Sequence, residues 1–262
     1  MNRLKLSVAV SAMVVSSTLV AADAAVTNFT PEQQQQIGKI AADYLLEHPE
    51  VLLQASQKLQ QMQQQQQQAQ LTSQAVSMHH QLMALEQIPH VGPADAKVTV
   101  TEFFDYQCYY CSQMAPEIEK LVKANPKVKF IFRDWPIFAS RWESSATAAF
   151  TGLEVWKQKG ADAYLSYHNG IYQTGHNEGK LTKADIESVA DKALGSSLGS
   201  VPSKAYRSVI AHNYMLAQSI GFKGTPAFIV MPAKGASVEN TSVVAGAAPA
   251  AVLQQAIDKA AQ

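Results

Sequence analysis

The sequence predicts an α/β protein in which a βαβ unit and a ββα unit are separated by a run of helices and preceded by a helical N-terminal region. Two strand-like apolar runs, 97–105 and 128–133, enclose a helical stretch. Cap and stop signals then mark four helices between about 140 and 220. Two short apolar runs, 227–231 and 241–244, lead into a last amphipathic helix over 250–261.

Residues 1–24 read as a signal peptide. Arg3 and Lys5 precede an uncharged apolar stretch from Leu6 to Val20, and Ala22-Asp23-Ala24 supplies the small residues a signal peptidase needs. Val20-Ala21-Ala22 is a competing cleavage signal, and an uncleaved anchor is the alternative. The stretch is short for a membrane span, and no Cys follows it to carry a lipid. Export to the periplasm is the expectation. About 240 residues then remain, enough for one medium domain and an appendage. With 21 basic and 21 acidic residues, nothing points to nucleic acid or an acidic membrane surface as a partner.

Residues 25–90 form the expected helical oligomerisation region. Thr30 is an N-cap with Pro31 at the first helical position, and Ile37, Ile40, Ala41, Tyr44 and Leu45 make one apolar stripe. The helix stops near His48 because Pro49 disfavours the α conformation before it. A second helix runs from Pro49 towards Gln87 through the glutamine tract Gln63–Gln68, since Gln extends helices without charge. Leu52, Ala55, Leu59, Met62, Gln66, Ala69, Ser73, Val76, His80 and Met83 follow in steps of three and four, a heptad spacing with polar interruptions. Self-association through residues 28–87, as a homodimer, is the expectation. A single solvated helix is the alternative, and the spacing does not choose dimer over trimer.

Pro89–Asp95, with Gly92-Pro93, reads as a linker, placed at residues 91–96, before a catalytic domain over 97–262. Strand, helix and strand imply a parallel unit, with Asn125-Pro126 as the turn into the second strand. The helical insertion, about 137–221, opens with a capping-box pattern at Ser140 and Glu143. Its second helix spans about 161–172. Thr182 caps a third that ends at Gly195, and Ser203 caps a fourth closed by Gly221.

The chain has two cysteines, Cys108 and Cys111, two residues apart. An exported chain meets oxidants, so the pair is expected to cycle through a disulfide. As a staple it closes too small a loop to matter. As a zinc site it is half of one, because the seven His residues are scattered; no metal and no other cofactor is expected. A C-x-x-C at the start of a helix puts the first sulfur where unpaired N–H groups and the helix dipole favour negative charge. Cys108 is therefore the expected exposed nucleophile with a lowered pKa, and Cys111 the buried resolving thiol. Glu102 shares a strand face with Val98, Val100 and Phe104, which predicts a costly buried carboxyl with a raised pKa. A solvated strand-end acid is the other reading.

These residues resemble a known family. Glu102-Phe103-Phe104-Asp105-Tyr106-Gln107-Cys108 with Cys111 is similar to the active-site segment of DsbA-type periplasmic proteins of the thioredoxin superfamily. Pro116 sits where thioredoxins carry a helix-kinking proline, and Gly224-Thr225-Pro226 resembles their cis-proline loop. The likeness continues through Val243-Val244-Ala245-Gly246 and the last helix. It implies a thioredoxin fold with a helical domain inserted between βαβ and ββα. It also implies that Pro226 is cis rather than an ordinary trans strand-opening proline, and that the Thr225 backbone pairs with an extended substrate. Glu102 would then move a proton for Cys111. The N-terminal helices resemble the dimerising extension of some relatives.

Tyr109 and Tyr110 tune the potential and border the substrate under this reading. Strong oxidases of the family often carry Pro-His there, whereas Tyr at the second place, with Thr before the proline, also occurs in DsbC and DsbG. Oxidase and isomerase therefore both stay open. The expected partners are unfolded or misfolded exported proteins, with either a quinone-linked membrane oxidase or a membrane reductase. A dimeric holdase chaperone with a secondary redox role is the alternative function.

Overall fold

The computed structural model describes residues 29–262; the signal peptide and its cleavage signals lie outside them. The chain divides into two compact units, one up to Leu59 and one over Gln60–Gln262.

The first unit holds α1 (Pro31–Glu47) and the first part of α2 (Pro49–Ser77). Thr30 caps α1 as expected, and reciprocally. Its hydroxyl accepts from the Gln33 backbone N–H at 3.3 Å, while the Gln33 side chain accepts from the Thr30 N–H at 2.9 Å. His48 closes α1 by donating its N–H to Tyr44, and Pro49 opens the next helix. α1 buries no residue, so Ile37, Ile40 and Tyr44 stand exposed on its surface.

The second unit is built on a five-stranded sheet in the order β1-β3-β2-β4-β5. These strands are β1 (His90–Val91), β2 (Val98–Phe104), β3 (Val128–Asp134), β4 (Ala227–Pro232) and β5 (Ser242–Ala245). β2 and β3 are parallel, with Glu102 opposite Phe132 and Phe104 opposite Asp134; the other pairings are antiparallel. Every residue of β2 is buried, as befits a central strand covered on both sides. One face, with Val98, Val100, Phe104, Phe130 and Phe132, packs under α4 (Tyr109–Ala124), α6 (Ala161–Gln173) and α9 (Ala250–Ala260). The other face, with Phe103, Ile229 and Met231, packs under α8 (Ser203–Ile220) and under Leu71, Ala75 and Leu82. α5 (Glu143–Lys159) and α7 (Lys183–Leu194) complete the insertion. The order βαβ, helices, ββα is the one the sequence predicts.

Several boundaries differ from expectation. α2 ends at Ser77 and a short α3 (His79–Met83) follows, so no single helix reaches Gln87. The heptad seam does not continue to Met83 as one face: Ser73 is exposed while Leu71, Thr72 and Ala75 are buried. Those residues follow the sheet, which is the larger apolar surface within reach. The Gln68 side chain also donates to the Val243 carbonyl at 2.8 Å, covering part of edge strand β5. The compact unit thus begins at Gln60 rather than Lys97, and the expected linker at 91–96 begins inside strand β1.

Two caps also differ. Trp142, not Ser140, precedes α5, and Pro202, not Ser203, precedes α8, neither with a side-chain cap. Thr182 forms the capping box of α7 with Asp185, and Gly221 closes α8 in the left-handed conformation.

Candidate active site

Asp105, Tyr106 and Gln107 make the turn from β2 into α4. The Asp105 carboxylate accepts from the Gln107 N–H at 2.7 Å, and from the Phe138 N–H and the Ser145 hydroxyl at 2.9 Å each. The buried Gln107 side chain donates to Ser144 at 2.5 Å and accepts from the Gly179 N–H at 2.8 Å. Gly179 has φ +93°, and a Cβ there would fall 2.6 Å from the Trp142 ring nitrogen, so only glycine allows this approach. The turn is thereby fastened to the insertion from both ends.

Cys108 is the N-cap of α4, and its N–H donates to the Asp105 carbonyl at 3.0 Å. Its Sγ donates to the Thr225 carbonyl at 3.3 Å. The Thr225–Pro226 bond is cis, as the resemblance implied. The Thr225 hydroxyl has no protein partner and is buried, so it is free to donate to a thiolate. Cys108 has its pKa lowered to about 6. The largest cause is the Cys111 thiol, followed after the opposing effect of burial by Thr225 and by the backbone N–H groups of Cys111 and Tyr110. Those N–H groups belong to the open first turn of the helix.

Cys111 lies one turn further in and is fully buried; burial and then Cys108 push its thiol well above the usual range. The asymmetry is as expected. The exposure is not, because Cys108 is only 4% exposed. The open surface belongs instead to Tyr109 and Tyr110, at 45% and 61%, whose rings meet edge to face at 5.5 Å.

Glu102 is buried within β2, and one of its carboxyl oxygens has no partner. Burial, then the charge at Cys108, raise it to about 8. The solvated strand-end reading of Glu102 is therefore wrong. All seven residues singled out from the sequence (Glu102, Cys108, Tyr109, Tyr110, Cys111, Thr225 and Pro226) fall on three adjoining pieces of structure: β2, the start of α4 and the loop before β4. Sequence reasoning missed Asp105, Gln107, Asp134 and His168. Asp105 carries a readable signal, an Asp whose side chain bonds the N–H two residues on. His168 and Asp134 carry none, since only the tertiary fold brings them to the sheet face that carries Glu102. A groove of about 930 Å³ lined by Gln68, Thr72, Val243 and Val252 lies elsewhere on the unit and contains neither cysteine. No cluster of metal-ligating side chains occurs among the described residues.

Residues 84–242 match the family described as Thioredoxin. The chain belongs to the thioredoxin family. Residues 33–69 match the N-terminal domain of copper resistance protein ScsC. Of solved structures, BcfH of Salmonella enterica Typhimurium is 41% identical with a TM-score of 0.79, covering 88% of this chain and 97% of that one. A periplasmic thioredoxin-like protein of Salmonella enterica serovar Typhimurium is 27% identical with a TM-score of 0.57, over 71% of this chain and 97% of that one. Disulfide bond formation protein D of Bacillus subtilis is 34% identical over 89 residues, which are 32% of this chain and 38% of that protein. The chain thus spans well under half of that curated relative. Within the thioredoxin family, a low-pKa thiol at a helix start one turn from a buried partner is the site of a thiol–disulfide oxidoreductase.

Proposed function

We propose that this protein forms and isomerises disulfides in unfolded or misfolded exported proteins, in the periplasm after signal-peptide removal. The observation that carries the reading is the opposed pair: Cys108 lowered to about 6 beside Cys111 raised well above its usual range. In oxidation, a substrate thiolate attacks Cys108 of the disulfide and the Cys108–Cys111 bond breaks. Cys111 leaves as a thiolate and takes the proton of Glu102, whose value near 8 keeps it protonated at neutral pH. A second substrate thiolate then attacks the substrate sulfur and Cys108 leaves as a thiolate, a good leaving group because its pKa is low. The substrate dithiol is oxidised and the pair reduced. In isomerisation, reduced Cys108 attacks a substrate disulfide and the pair ends as it began.

The Thr225 backbone pairs with an extended substrate beside the sulfur, and Tyr109 and Tyr110 give it an apolar rim. A membrane quinone-linked oxidase recharges the oxidised form, or a membrane reductase maintains the reduced one. Two copies associate through the 28–87 region, on its open part; support comes from the exposed Ile37, Ile40, Tyr44, Leu52 and Leu59. Periplasmic location is supported by the periplasmic relative in Salmonella.

The test mixes the oxidised protein with a reduced unfolded substrate and follows disulfide formation. It then mixes the reduced protein with a scrambled one and follows recovery. Activity in both, lost in the double Cys108→Ser, Cys111→Ser variant, is expected. No exchange in the native protein, with suppression of substrate aggregation intact in that variant, would leave a holdase chaperone as the function.

A further inference from the structure

The sheet face that carries Glu102 holds a second buried acid that the proposed exchange does not use. Asp134, at the end of β3, is 1% exposed, and apart from its own backbone N–H neither of its carboxyl oxygens has a protein hydrogen-bond partner. It lies on the same sheet face as Glu102. With Glu102 opposite Phe132 and Phe104 opposite Asp134, the two acids occupy one diagonal of a four-residue square. Strand spacing and rise put their Cα atoms roughly 8 Å apart, within reach for a side chain as long as Glu. The other diagonal is filled by Phe104 and Phe132, and the His168 ring from α6 lies over them, its centroid 4.8 Å and 5.0 Å from theirs.

A buried carboxylate persists only if paired or hydrogen-bonded. No cation meets that need here. His168 is held neutral by burial, at about 3, with its Nε2 unpartnered and its Nδ1 3.4 Å from the Tyr106 hydroxyl. Arg133 projects to the opposite face, where it is engaged by the carbonyls of Gln81, Leu82 and Ala84 and by Asn213. Tyr106, Tyr164 and Tyr167 also surround the acid, and all three are pushed towards the neutral phenol. Asp105 is a weaker candidate to share a proton, because three donors already occupy its carboxylate. Two carboxyl groups buried on one diagonal of a sheet face, with no cation between them, resist ionising together.

We propose that Asp134 is a positioning residue of the redox centre, sharing a single buried proton with Glu102 once Cys111 has been protonated. The resting pair carries two protons. Transfer of one to the Cys111 thiolate leaves a thiol and a carboxyl pair with one proton and one negative charge. Sharing that proton spreads the charge and eases a transfer that would otherwise leave Glu102 as a bare buried anion. The inference rests on the proton-transfer role proposed for Glu102 and extends it to a residue that touches neither sulfur.

Infrared absorption of protonated carboxyl groups, followed against pH in the reduced protein, tests it. The native protein should show two steps from the pair, and Glu102→Gln and Asp134→Asn should each leave one. If the proton is shared, each remaining step lies between the native two, displaced by about a pH unit or more from either. The oxidised-minus-reduced difference spectrum should carry contributions from both acids. A remaining step that coincides with a native one in Glu102→Gln overturns the coupling, and that variant decides the matter even if Asp134→Asn does not fold. A difference spectrum unchanged by Glu102→Gln would instead overturn the role of Glu102 itself.

Discussion

The Sγ of Cys108 lies 3.3 Å from the carbonyl oxygen of Thr225, the residue before cis-Pro226. This contact joins the nucleophile to the loop before β4, on whose backbone an extended substrate is proposed to pair. It also fixes where the thiol proton points before reaction. When the proton leaves, the carbonyl becomes a repulsive neighbour, and the buried Thr225 hydroxyl, which has no partner, is the donor that can turn to the sulfur. Thr225→Val should therefore raise the Cys108 pKa, and the pH at which thiolate absorption appears reads the change directly.

Alkylation should separate the two thiols. With Cys108 lowered to about 6 and Cys111 buried and raised, a small alkylating reagent at pH 7 should label Cys108 alone. Labelling should fall off below pH 6. Cys108→Ser should abolish attack on substrate disulfides, and Cys111→Ser should accumulate mixed disulfides because nothing resolves them. If Cys111 labels first, the assignment of roles is reversed.

Glu102→Gln should make the protein more stable at neutral pH. Burial lifts the folded value from 4.5 to about 8. The stability linked to this group is therefore whole below pH 4.5 and is lost as pH rises through 8. At pH 7 the loss is roughly 3 kcal/mol, and Gln, which cannot ionise, removes it. Urea unfolding of both proteins should give curves that coincide near pH 4 and separate by pH 7. A gap that fails to grow with pH would show that Glu102 is not desolvated as described.

Arg133 should be a structural keystone of the opposite face. Its guanidinium donates to the carbonyls of Gln81, Leu82 and Ala84 and to Asn213 Oδ1, all of them at or near the end of α3 or on α8. Removing it empties the two buried acceptors, the Leu82 carbonyl and Asn213 Oδ1, each costing about 1–3 kcal/mol. Arg133→Met should lower stability by roughly 2–6 kcal/mol, and limited proteolysis should open the chain between α3 and β1. A midpoint within experimental error of the native one would refute this.

The boundary of the N-terminal region changes what a truncation should do. Leu71, Ala75, Leu82 and Ile88 are buried in the second unit, so removal of residues 25–90 should strip part of its core. Each fully buried Leu lost costs about 2–5 kcal/mol. Removal of residues 25–59 should instead leave a folded monomer that reacts with small disulfides and has lost isomerase activity. Light scattering that finds the native oligomer after this shorter deletion would exclude self-association through the exposed stripe.

What could be read from the sequence and what could not divides along physical lines. Local chemistry was legible: the Thr30 and Thr182 caps, the Pro49 break, the strand carrying Glu102 and the helix start at Cys108 all follow from neighbours a few residues apart. The seam of α2 was not, because a heptad is indifferent to what covers it. The sheet took Leu71, Thr72 and Ala75 instead of Ser73 and Val76. Ser140 and Ser203 had the right residue type for caps, yet chain packing placed the helix starts two residues later and at the Ser itself. The buried acid Asp134 lies one residue beyond the strand run that the sequence indicates, and only the pairing of β2 with β3 sets it on one diagonal with Glu102.

The last prediction ties the thiolate to the balance between the redox forms. The folded pKa of Cys108 is depressed, from 9.0 to about 6. Its contribution to the reduced form is therefore full above pH 9 and is lost as pH falls through 6. At pH 7 it amounts to at most about 1.4 kcal/mol, and at most about 4 kcal/mol at high pH. The oxidised form has no thiolate and gains nothing, so the reduced form should gain on the oxidised one between pH 5 and 9. A disulfide whose reduction stabilises the fold is the more oxidising for it. Glu102 works against this, because the Cys108 charge helps to raise it, so the gain should be larger in Glu102→Gln. Tyr110 is 61% exposed at the first turn of α4, and Tyr110→His should add a donor or a positive charge near the sulfur and enlarge the gain again. Thermal unfolding of both redox forms of the three proteins across that pH range measures all of it. An oxidised form that stays ahead by a constant margin at every pH would mean that Cys108 is not activated, and that the pair works as a weak reductant.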